Sequence, residues 1–192
     1  MTSSTRLEDL QLRDFFRIVE SLIGHRPPRF AFCGARPQLH KELTLIDNIF
    51  LEAPHGTIKD KSKRNYTQQN FGGNVYLHQL FERLPYPEAP AHEAGPLAQK
   101  LTALIRAIVR TDPYLFLVAP QVGMDRACME LLAKSLHLEH QLNQKTILVA
   151  GWDVKEWPLN GDIPFLEVEK SHDRPILVSI KRNLVQDKKL AA

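Results

Sequence analysis

Three short stretches of this chain carry residue types that hold or transform a charged small molecule, and each follows an apolar run. Gly34-Ala-Arg36 follows residues 29–33, Ala119-Pro-Gln-Val-Gly-Met-Asp125 follows the run that starts at Tyr114, and Gly151-Trp152-Asp153 follows residues 146–150. A glycine after a strand lets backbone N–H groups approach an anion, and the Arg36 guanidinium suits bidentate contact with phosphate or carboxylate. Gly34, Arg36 and Trp152 are therefore the ligand-binding candidates. Asp125, Glu130 and Asp153 are the candidate catalytic carboxylates, Asp125 or Glu130 as acid, base or nucleophile and Asp153 to orient a hydroxyl. Each feature also has a plainer use. Gly34 makes a tight turn, Arg36 pairs with a surface acid, Asp125 caps a helix, and Arg126 with Glu130 forms an i,i+4 ion pair.

Several standard sites are missing their parts. Gly34 is followed by Ala-Arg-Pro-Gln-Leu-His-Lys41, with no second glycine and no hydroxyl beside Lys41, so a phosphate-cradling G-x-x-x-x-G-K-[ST] loop is absent. No G-x-G-x-x-G and no G-x-S-x-G follows a predicted strand. The eight histidines include no H-E-x-x-H and no Cys/His cluster, and His137 with His140 suits a helix carboxyl end better than a metal. No metal site and no cofactor is expected. The basic stretch Lys59, Lys61, Lys63 and Arg64, with Tyr66 and Phe71 interleaved, has the composition that tracks phosphates while a ring stacks on a base, and equally that of a solvated loop. Trp152 and Trp157 close an apolar pocket, form a partner-binding spot or pack in the core.

The elements that must position these residues are legible from periodicity. Leu12, Phe15, Phe16, Val19, Leu22 and Ile23 form one helical face over 6–23, stopped by Gly24 and Pro27-Pro28. Residues 29–33 read as a buried strand, and Pro37 opens a helix with the stripe Leu39, Leu43, Ile46 and Phe50. From 52 to 73 the periodicity lapses into a long polar loop, expected to be mobile. A helix over 74–84 precedes an extended proline-rich linker at 85–90. Pro96 opens a helix that Asp112-Pro113 ends; the strand 114–119, a helix over 124–138 and the strand 146–150 then complete a βαβ unit. Two short strands, 164–168 and 175–180, begin at proline and are expected at the sheet edge. The chain reads as a single domain over 1–184 with a flexible tail at 185–192.

Composition bounds the class. With 192 residues, 43% hydrophobic and 24% charged, the chain can bury a core, which excludes a disordered segment or a disulfide-stapled miniprotein. No apolar run is long enough to span a bilayer, and charges throughout the first thirty residues leave no room for a secretory signal, so the chain is expected to be cytoplasmic and away from membranes. Cys33 and Cys128 are expected as buried, reduced thiols. The net charge of +3 hides a segregation: residues 54–84 and 170–192 are basic, while 85–169 hold seven basic and eleven acidic side chains.

The expected architecture is a three-layer α/β sandwich, Rossmann-like in outline, with a mainly parallel central sheet and short edge strands at the C-terminus. Missing catalytic motifs and segregated charge lead to the expectation of a non-catalytic regulatory or adaptor module. It would bind an acidic protein or nucleic acid through Lys59, Lys61, Lys63 and Arg64. The competing reading is an enzyme acting on a nucleoside, nucleotide or related phosphorylated small molecule at the carboxyl edge of the sheet, where Arg36, Asp125, Glu130 and Asp153 converge.

Overall fold

The computed structural model describes residues 29–51 and 67–150, the backbone of two further strands at 165–169 and 177–181, and residues 17, 20 and 24 singly. The expected helix over 6–23 therefore lies almost wholly outside the described residues, as do residues 52–66 of the polar loop and the tail.

Three strands, β1 (Phe30–Cys33), β2 (Tyr114–Val118) and β3 (Thr146–Ala150), form a parallel sheet in the order β1-β2-β3. Phe30 pairs with Tyr114 and Cys33 with Leu117, while Tyr114 pairs with Thr146 and Val118 with Ala150. Alternation along each strand divides the side chains between two faces. Ala31, Cys33, Leu115 and Leu117 face the described helices, whereas Phe30, Phe32, Phe116 and Val118 build a second cluster with Leu148 on the other side. Phe30 stacks on Phe116 at 5.9 Å. Residues 115 to 118 are all buried, so β2 is shielded on both faces, which is why its sequence is apolar without alternation.

The helices are α1 (Leu45–Phe50), α2 (Val75–Glu82), α3 (Pro96–Val109) and α4 (Arg126–Asn143). The helix expected from Pro37 starts late, because side chains take up the backbone groups that a helix would use. The buried Asn48 amide donates to the carbonyls of His40, Leu43 and Thr44 and accepts from the His40 N–H. Thr44 then caps α1 by accepting from the Asp47 N–H at 3.0 Å. Residues 85–90, expected as an extended linker, instead close turns against α1. The Leu45 and Ile46 N–H groups, orphans at a helix start, donate to the carbonyls of Ala89 and Pro87.

Helix α4 runs past the expected end at 138, since polar packing replaces the apolar stripe there. Buried Glu139 accepts from Asn74 at 2.9 Å and pairs with Lys145 at 2.8 Å, and Asn74 also donates to Ser135. Within the expected 52–73 loop, Gln68–Phe71 form a turn of 3-10 helix that buries the Phe71 ring 5.1 Å from Phe81 and 5.7 Å from Phe50. The two C-terminal strands exist as β4 (Phe165–Glu169) and β5 (Leu177–Lys181), paired antiparallel with each other rather than added to the edge of the parallel sheet. The connection over 170–176 is too short for a parallel crossover and suits a direct return.

Asn48 gives a direct test of this account of α1. Asn48→Ala leaves the His40 N–H without its acceptor and takes one of two donors from each of the three carbonyls; it is expected to cost about 1 to 3 kcal/mol, read as a lower urea midpoint with an unchanged slope. A midpoint equal to the wild type would show that other contacts hold residues 37–44.

Candidate functional site

The turn after β1 is shaped from behind by a lysine. Lys100, on the buried side of α3 and only 4% exposed, donates from Nζ to the carbonyl oxygens of Gly34 at 3.2 Å and Ala35 at 3.1 Å. Burial lowers its pKa, with the Cys33 thiol as a smaller opposing influence. Arg106, two turns further along α3, donates to the Gln38 carbonyl. Cys33 is buried beneath this turn; burial pushes its thiol pKa up, and the charges of Lys100 and Arg106 only partly offset that. Such a thiol stays protonated at neutral pH and is a poor nucleophile. A side chain at Gly34 would press on the Phe32 ring, 3.3 Å from an added Cβ, so the residue keeps the turn tight. Arg36 is exposed and, among the described residues, makes no ion pair, so the surface acid expected as its plain partner is not found there.

The turn after β2 is irregular. Ala119 has φ 44°, a left-handed conformation that costs a residue with a Cβ, and its N–H donates to the Ala150 carbonyl at 2.7 Å. Gly123 takes φ 80°, where glycine is at home. Between them Gln121 is 7% exposed, and neither its amide oxygen nor its nitrogen has a hydrogen-bond partner among the described residues. Asp125 ends the turn as the N-cap of α4, accepting from the Cys128 N–H at 2.7 Å, with Arg83, the C-cap of α2, 4.0 Å away. The hydrogen bonds from Cys128, assisted by Arg83, hold the Asp125 carboxyl below its ordinary pKa. Cys128 is pushed the opposite way, first by burial and then by Asp125.

Because β1 and β2 are parallel and in register, Gly34 and Arg36 emerge at the same sheet edge as Asp125. Glu130 lies farther along α4, paired with Arg126 at 3.2 Å in the i,i+4 arrangement. Trp152 and Asp153 lie outside the described residues, as do Lys59, Lys61, Lys63 and Arg64. Lys100 and Gln121 are the positions that sequence reasoning passed over. Lys100 had a visible signal, a cation four residues before Leu104 on an otherwise apolar stripe; Gln121 had none beyond its place after a strand. Among the described residues no group of His, Cys, Asp and Glu is arranged to hold a metal ion, and no helix is long and apolar enough to cross a membrane.

No protein-family model matches the chain, and no curated protein sequence is significantly similar to it. Its fold is shared with solved structures. Two are of MJ0796, a bacterial ABC transporter cassette: one a dimeric structure, the other a dimeric post-hydrolysis state bound to ADP and Pi. Each aligns at a TM-score of 0.50 and 17% identity over 77% of this chain and 60% of the cassette. The chain thus spans about 60% of the length of these cassettes. A likeness at that identity establishes the fold, an α/β domain with an open parallel sheet of the cassette kind. It overturns the expectation of a non-catalytic adaptor that recognises an acidic protein or nucleic acid, since both of these structures that share the fold are of an ATP-binding cassette, one of them bound to ADP and Pi. That expectation drew on segregated charge and a missing loop. Surface charge varies on a fold without altering it, and a missing standard loop excludes only the standard mode of binding.

Two substitutions test this description of the edge. Gln121→Met replaces an unpaired buried amide by an apolar chain of similar size and is expected to raise stability by about 1 to 3 kcal/mol, seen as a higher urea midpoint; a lower midpoint would mean that the amide has a partner in solution. Asp125→Ala is expected to destabilise at neutral pH. A carboxyl whose folded pKa is depressed stabilises above its unfolded value and loses that contribution as pH falls through the folded one. The difference from wild type should therefore be constant above the ordinary value of 3.8 and shrink below it, and a gap that persists unchanged in stronger acid would contradict the assignment.

Proposed function

We propose that this chain binds a phosphorylated nucleoside at the carboxyl edge of β1-β2-β3 and acts on it there as an enzyme. The observation that carries the reading is the placement, on a cassette-like sheet, of Arg36, exposed and without a partner among the described residues, and Asp125 in turns that leave the same edge. Ligands of open α/β sheets bind outside the carboxyl ends of the strands. The opposite edge is a poor seat for phosphate. A cavity of about 320 Å³ there is lined by Val109, Arg110, Glu139, Asn143 and Lys145, at the carbonyl ends of α3 and α4, whose dipoles repel anions. Its buried charges are already matched, Glu139 by Lys145, Asn74 and Asn143.

The residues at the carboxyl edge limit the chemistry. P-loop NTPases hold Mg²⁺ with a loop hydroxyl and a strand-end aspartate. Here the strands end in Cys33-Gly34, Val118-Ala119 and Ala150-Gly151, and no hydroxyl follows Lys41. The residues present do not fit that ion, so the phosphate charge falls to Arg36 and to backbone N–H groups. Asp125, ionised and already accepting hydrogen bonds, is a weak proton acceptor at neutral pH. Its role is to orient a hydroxyl or a water molecule beside the phosphate.

Thermal unfolding of the full chain with ADP, ATP or adenosine tests the reading. ADP and ATP are expected to raise the midpoint, by about 2.7 kcal/mol of linkage at a hundredfold excess over Kd, adenosine to raise it less, and Arg36→Ser to remove most of the difference. No shift with either nucleotide at millimolar concentration would refute nucleotide binding. Conversion of ATP by the wild type that Asp125→Asn slows, with the ADP shift retained, is the expected sign of catalysis; no conversion by the wild type would refute the enzymatic half.

A further inference from the structure

We propose that the turn after β1 is a phosphate-binding nest formed by the N–H groups of Ala35 and Arg36 with the Arg36 guanidinium, held in its binding shape by Lys100 as a positioning residue. The nest deepens the nucleotide reading and rests on it only for what is attached to the phosphate.

The geometry follows from peptide planarity. Every described peptide bond is trans, so each carbonyl points opposite to the N–H of the next residue. The Gly34 and Ala35 carbonyls both accept from the single Nζ of Lys100 and therefore lie on one side of the turn. The N–H groups that share those two peptide planes belong to Ala35 and Arg36, and both must leave on the opposite side. Neither has an acceptor among the described residues. Successive N–H groups aimed the same way form a concavity that binds anions without a glycine-rich loop. The Arg36 side chain, exposed and without a partner among the described residues, extends from the same residue.

Charge supplies a second, independent observation. Lys100 is buried yet has no carboxylate within ion-pair distance among the described residues; its neighbours are two carbonyl oxygens and a thiol. A buried ammonium without a counter-ion is costly. A phosphate on the far side of the two peptide planes gives that charge an anion to face, with the peptide dipoles aligned between them. The missing P-loop is thus replaced by a lysine that reaches the turn from behind, through its carbonyls, rather than touching the phosphate.

Separate titrations of pyrophosphate and of adenosine into the full chain, followed by calorimetry, test the nest with Lys100→Met and Arg36→Gln. The expected result is pyrophosphate binding by the wild type, weakened at least tenfold in each variant, with any adenosine affinity unchanged. A purely structural role for Lys100 would not separate the two ligands in this way. Should Lys100→Met fail to fold, the exposed Arg36→Gln decides alone. Pyrophosphate binding undiminished in the folded variants, or none in the wild type, would overturn the nest. Pyrophosphate binding that shows the tenfold losses, in a chain that ADP and ATP fail to stabilise, would keep the nest and overturn the nucleotide reading.

Discussion

Where α3 crosses the end of β1, the Lys100 ammonium is taken out of water with, among the described residues, two backbone carbonyls and a protonated thiol beside it and no carboxylate. Desolvating that charge is tolerable only if the carbonyls are offered to it, and they can be offered only if the chain coils toward α3 immediately after Cys33. The consequence spreads along the next ten residues. With the carbonyls of Gly34, Ala35 and Gln38 drawn to Lys100 and Arg106, and those of His40, Leu43 and Thr44 drawn to Asn48, no regular helix can form before Thr44. Helix α1 is short for that reason. The same coil turns the Ala35 and Arg36 N–H groups outward.

The two edges of the sheet are built on opposite principles. At the amino edge, Glu139, Lys145, Asn74 and Asn143 form a closed polar network in which each charge has its partner within the fold. That network specifies how α2 and α4 meet and leaves no charge for a ligand. At the carboxyl edge the charges are unmatched or exposed: among the described residues, Lys100 lacks a counter-ion, Arg36 lacks a partner, and the buried Gln121 amide has none either. A left-handed Ala119 adds local strain to the same edge. Unsatisfied polar groups and strained backbone persist where the surrounding structure holds them in place, and they gather where proteins bind or react.

Residues with a strong local pattern were legible in the sequence. The uninterrupted apolar runs of β1, β2 and β3, and the Pro96 start of α3, specify those elements almost to the residue; for β2, burial on both faces admits little else. The Asp125 cap and the Arg126–Glu130 pair follow from spacing alone. What escaped is what depends on side chains reaching across the fold. Asn48 looks like one more polar residue, yet it decides where α1 begins, and Glu139 and Asn74 extend α4 beyond its apolar stripe. The terminal strands were visible as strands, but not as partners of each other. For the site, Arg36 and Asp125 were found by their place after strands, whereas Lys100 shows in the sequence only as a cation on an apolar stripe, and its hold on the turn is seen once α3 is laid against β1. Charge counts along the chain suggested an acidic partner because they sum over residues without regard to where the fold puts them.

The most direct measurement is a backbone amide NMR titration of the full, nitrogen-15-labelled chain with ADP. The account predicts saturable, downfield shifts of the Ala35 and Arg36 amide protons, as expected for N–H groups that gain a charged acceptor, with the Lys145 and Asn143 amides at the other edge unmoved. Shifts confined to the amino edge, or a titration in which Ala35 and Arg36 stay in place while ADP binds, would contradict it.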